Sequence, residues 1–153
     1  MLRTLKRLFD DDQPEAPRAS EYERRQLELA VAGLLLEMVR ADLQTRPEEL
    51  RAAARALEQL FGTGDAEARA LLDRAGEPAR RFTSYFGPVS VIKRWYSQEE
   101  RIRLLEHLWR VAYAEGTLDP HEDHFVRKIA HLLYVHNTDC MLARNRARPG
   151  AAA

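Results

Sequence analysis

The chain has 153 residues, 45% of them hydrophobic and 31% charged, enough to bury the core of one domain and too apolar for a chain disordered throughout. Its 24 Lys and Arg balance 24 Asp and Glu, so there is no basic excess to mark a dedicated nucleic-acid binder. A single cysteine, Cys140, excludes an internal disulfide and any cysteine-paired zinc site; no apolar run nears the ~20 residues of a membrane span, and a reducing cytoplasm is the expected home.

Leu2, Leu5, Leu8 and Phe9 repeat at helical spacing, which predicts a short amphipathic helix too brief for a signal peptide. Docking on its own domain is the preferred reading. The alternative is weak peripheral membrane contact through residues 1–9, which Asp10, Asp11 and Asp12 oppose by repelling anionic lipid. Residues 10–18, with Pro14 and Pro17, read as a linker. Ser20 and Glu23 form a capping box, and Leu27, Ala30, Val31, Leu34, Leu35 and Met38 line one face of a helix reaching to about Asp42. Pro47 opens a second helix with an inner stripe of Leu50, Ala53, Ala54, Leu57 and Leu60, ended by Gly62 and Gly64.

Asp65 is the expected cap of a short helix through Leu71 and Leu72. From Glu77 to Tyr96 the chain is aromatic-rich, and two short helices are expected, with Gly87-Pro88 breaking any helix through its middle. Ser97 and Glu100 form another capping box before a helix that buries Ile102, Leu105, Leu108, Trp109 and Ala112 and ends near Gly116. Asp119-Pro120-His121-Glu122 starts the next helix, with Phe125, Val126, Ile129, Leu132 and Leu133 inward. A last helix spans Thr138 to about Arg146. The expected organisation is residues 1–19 as helix and linker, 20–147 as one helical domain, and 148–153 as a tail.

A shift of 73 residues lays Asp42 on Glu115, Pro47 on Pro120, Glu49 on Glu122 and Leu60 on Leu133. The pattern predicts an all-α bundle of about six to eight helices containing two pseudo-symmetric helical hairpins. If the two turns meet, Asp42, Glu49, Glu115 and Glu122 converge, and four close carboxylates favour a hard divalent cation with oxygen ligands. The plainer reading is that Glu122 and Glu49 complete capping boxes and gain from the helix dipole. Asp42 and Glu115 resist that reading, because acids at helix C-termini meet the unfavourable end of the dipole.

Around these residues the chain resembles the TerB-like domain family, named for a tellurite-resistance protein. Residues 109–133 carry the likeness: Ala114-Glu115-Gly116 at the turn, Asp119-Pro120, Glu122, and Ile129-Ala130-His131-Leu132-Leu133. Residues 35–60, around Asp42 and Pro47-Glu48-Glu49, resemble the family's first hairpin, and the whole likeness covers roughly residues 24–147. It implies an all-helical bundle with internal two-fold similarity, a tie to tellurite and other chemical stress, and acidic metal-binding turns. A related domain forms part of a membrane-anchored J-domain co-chaperone, but this chain carries no His-Pro-Asp motif. Glu115 stands in place of the family's usual Asp, Leu43 in place of a glycine, and Arg46 where the second copy has Asp119. An arginine there would supply part of a cation's charge. The segment from Phe82 to Tyr96 is longer than usual.

His124, Lys128 and His131 share a stripe that avoids the apolar face, which reads as solvated; His121 stands beside Glu122 and could supplement an acidic site. Cys140 reads as packing, as does Trp109, whereas Trp95 and Tyr96 suit either a core or a partner groove. The preferred expectation is a non-enzymatic module binding a divalent cation, a protein partner, or both, in a stress response. The alternative is a metal-free interaction domain that uses the aromatic segment. A metal-dependent hydrolase ranks last, because it needs an open coordination position and a shaped substrate pocket and neither is indicated.

Overall fold

A computed structural model describes residues 20–41, 45–80 and 84–150. The readings of residues 1–9 as a helix and 10–18 as a linker, and the placing of Asp42, Leu43 and Phe82, lie outside the described residues. Seven α-helices are described: α1 (Glu21–Arg40), α2 (Pro47–Phe61), α3 (Asp65–Ala75), α4 (Phe86–Trp95), α5 (Gln98–Ala112), α6 (Pro120–Leu132) and α7 (Asn137–Ala147), with a short 3-10 turn at Pro78–Arg80. No strand occurs among the described residues.

α1 packs against α2, α3, α4, α5 and α6, and so runs through the middle of the bundle. Its six consecutive residues Val31 to Leu36 are all buried, as are Met38 and Val39. One apolar face was expected; the structure covers every side. A helix that is apolar all round can be paired on all sides without stranding a polar group. The second long helix, α5, packs on α2, α6 and α7 as well as α1. α7 buries the small residues Cys140, Ala143 and Ala147, and Trp109 Nε1 of α5 donates to the Cys140 carbonyl at 3.1 Å.

Both serine caps form as reciprocal boxes, Ser20 with Glu23 and Ser97 with Glu100. Gly62 closes α2 in the left-handed conformation at φ 69°, where a Cβ would be strained. Two local expectations change. Asp65 is the first residue of α3 and not its cap, which is Gly64; the Asp65 carboxylate takes the Arg69 guanidinium one turn on, at 3.0 Å. Gly87-Pro88 does not break a helix but lies in the first turn of α4, where a missing N–H removes no helical bond and the Val89 N–H already reaches the Tyr85 carbonyl at 3.0 Å. The two short helices expected across Glu77 to Tyr96 are the 3-10 turn and α4.

Arg101, in the first turn of α5, ties three segments together. Its guanidinium donates to the carbonyls of Lys93 at 2.9 Å, Tyr96 at 3.2 Å and Leu133 at 3.2 Å. These carbonyls end α4 and α6, where no intrahelical N–H is left to bond them. Gln98 Nε2 adds a bond to the Tyr134 carbonyl at 3.2 Å.

Candidate acidic-turn site

The first hairpin, α1 to α2, turns through residues that include Thr45 and Arg46; the second, α5 to α6, turns through residues 113–119. In the second turn the Ala114 N–H reaches the Val111 carbonyl and the Gly116 N–H the Tyr113 carbonyl, with Gly116 at φ 90°. Glu115 lies within this tight bend, half-buried. The bend closes against the core through Leu118.

Glu49 and Glu122 each lie in the first turn of a helix opened by proline, and each is only 2% exposed. Capping accounts for them less well than expected. The cap residue of α2 is Arg46, whose side chain makes no cap bond. At α6 the Asp119 carboxylate accepts from the His121 N–H at 2.7 Å, one position short of Glu122. Both glutamates are therefore inward-facing carboxylates at helix N-termini, where the dipole favours negative charge but burial strips water from it.

Between the hairpins, Arg46 of the first turn forms an ion pair with Glu115 of the second. This contact brings the two turns together, with a guanidinium against the Glu115 carboxylate. Among the described residues no group of three or more His, Cys, Asp and Glu side chains is gathered tightly enough to hold a metal ion. Of the four expected ligands, Glu49, Glu115 and Glu122 are thus placed without forming such a group, and Asp42 lies outside the described residues. Carboxylate oxygens are nonetheless the donors a hard divalent ion takes.

His124, Lys128 and His131 are exposed, as expected of a solvated stripe, and His121 is exposed too. His107 was not singled out and is 5% exposed, between α2 and α5 beside Arg55 and Arg110. Burial, and then the nearby Arg110, push its imidazole down to about 4. The spacing of Leu104, His107, Leu108 and Val111 carried the signal, since all four fall on one helical face. Cys140 is fully buried and burial pushes its thiol up, which suits a packing role and not a nucleophile. Tyr96 is buried, Trp95 half-buried and Phe86 76% exposed, so the aromatic segment divides between core and surface.

A bundle with no strand among the described residues, and two helical hairpins joined through Arg46 and Glu115, defines a small all-helical module. The family model described as tellurite resistance protein TerB matches residues 28–145, and the chain belongs to this family. No curated protein and no solved structure matches the chain.

Proposed function

We propose that the chain is a non-enzymatic TerB module that binds a divalent cation at its paired acidic turns, within a response to chemical stress. Asp42, Glu49, Glu115 and Glu122 are its ligands. The observation that supports this most is the burial of Glu49 and Glu122 at matching positions of the sequence repeat, each 2% exposed. A buried carboxylate is retained where positive charge or hydrogen bonds meet it, and two of them at one end of a bundle suit a divalent ion. The stress role rests on the family's description alone.

The Arg46–Glu115 pair favours a second reading, in which the guanidinium replaces the cation and the module is metal-free, binding a partner through its aromatic segment. Thermal unfolding of the chelator-stripped protein, with and without millimolar Ca2+, Mg2+, Mn2+ or Zn2+, separates the two. On the cation reading one ion raises Tm, and the Glu115→Gln, Glu122→Gln double variant loses the rise. Arg46→Gln then enlarges the rise, because Glu115 is freed for the ion. On the metal-free reading Tm ignores every ion, and Arg46→Gln lowers it with no rescue by cations.

A further inference from the structure

Away from the acidic turns, α4 and α6 enclose an open groove of about 590 Å³. Its walls are Val89 and Leu132, with Tyr85 packed edge-on to Phe125 at a centroid distance of 5.5 Å. Phe86 and Tyr134 stand at its rim, 76% and 74% exposed. Tyr134 is the single non-glycine with positive φ among the described residues, at 57°. A left-handed conformation disfavours a bulky side chain. It is held by the Tyr134 N–H on the His131 carbonyl and by Gln98 on its own carbonyl. The strain presents an aromatic ring to solvent where burial offers no compensation.

Among the described residues the charged side chains lining this groove are Lys93 and Lys128, and no acid lines it. The whole chain has three lysines, Lys6, Lys93 and Lys128, so both of those in described residues lie here. Elsewhere positive charge is arginine, and Arg25, Arg69, Arg110, Arg127 and Arg146 each hold a carboxylate. The two lysines hold none among the described residues; their ammonium groups lie over aromatic rings, Lys93 at 4.3 Å from the Tyr134 centroid and Lys128 at 5.0 Å from that of Tyr85. Burial, and then the nearby Glu37, push the Tyr85 phenol up.

We infer that this groove docks an acidic segment of a partner protein, with an aliphatic or aromatic side chain between Phe86 and Tyr134 and carboxylates on Lys93 and Lys128. Charge complementarity selects this occupant. An apolar floor suits a peptide anchor, and two lysines in a chain of zero net charge are too few for a nucleic acid backbone. The inference stands whether or not the acidic turns take a cation.

The test is fluorescence anisotropy of the full chain with a short fluorescein-labelled peptide carrying Leu-Phe flanked by Asp and Glu. The expected result is salt-sensitive binding that is absent for the same peptide with Asn and Gln in place of the acids. Lys93→Gln and Lys128→Gln each weaken it roughly two- to fivefold, and the double charge reversal to Glu abolishes it. Tyr134→Gly weakens it while Tm holds or rises, since glycine relieves the left-handed strain; a purely structural tyrosine would not separate these readouts. Four results would overturn the inference: no binding, binding indifferent to the lysine reversals, tighter binding of a single-stranded oligonucleotide, or binding only after Asp10, Asp11 and Asp12 become Asn. The last would make the chain's own Leu8-Phe9-Asp10-Asp11-Asp12 the occupant.

Discussion

An imidazole 5% exposed, with Arg110 and Arg103 nearby, meets both a desolvation penalty and like charge on taking up a proton. His107 therefore stays neutral in the fold down to about pH 4, against its ordinary 6.5. Between those values the unfolded chain binds a proton that the folded chain refuses. Stability from this residue is complete above the ordinary value, falls as pH drops through that window, and levels off below it. The loss is on the order of 3 kcal/mol. Urea midpoints across about pH 4–7 should fall for the native chain, and more shallowly for His107→Gln, which has no proton to accept.

At the scale of elements, Arg101 closes the ends of α4 and α6 through three carbonyls in Lys93, Tyr96 and Leu133. Charge-assisted bonds to orphan carbonyls are the stronger kind, and Arg101→Ala should cost about 2–3 kcal/mol by urea denaturation. Arg101→Lys should recover less than half, because a point charge on a flexible stem does not reach three acceptors in a fan. Much of this level was legible beforehand. Serine with glutamate three residues on marked α1 and α5, and Pro47 and Pro120 marked α2 and α6, because capping is written locally. Gly87-Pro88 misled because the same dipeptide ends a helix or sits in its first turn, depending on what packs beside it. The repeat put Glu49 and Glu122 at matching places, but their burial was not legible, because a glutamate in a helix's first turn reads equally as an exposed cap. The Arg46–Glu115 pair spans two turns far apart in the chain, and the groove joins α4 to α6; contacts of that kind depend on tertiary docking. His107 was missed although it stood on a readable stripe, because a titratable residue was not counted as a core candidate.

For the molecule as a whole, α1 is the element on which the others converge, and Leu34 and Leu35 have no exposed surface. Leu34→Ala should cost about 3–5 kcal/mol, since the helices around it leave little room to collapse into the void. Trp109 in the core and Trp95 at the half-buried edge report different regions. Coincident unfolding by tryptophan fluorescence and circular dichroism would show that the loss is global and the bundle one cooperative unit. The same arrangement has a consequence for biosynthesis. The all-apolar stretch Val31 to Leu36 leaves the ribosome before the helix starting at Gln98 that covers one of its sides. At ordinary elongation rates the wait is roughly 3–12 s. For those seconds the α2, α3 and α4 sides of the helix can be covered but the side that awaits α5 stays bare, so co-translational chaperones have a defined target in it, and the yield in a cell should depend on them more than refolding in dilute solution does.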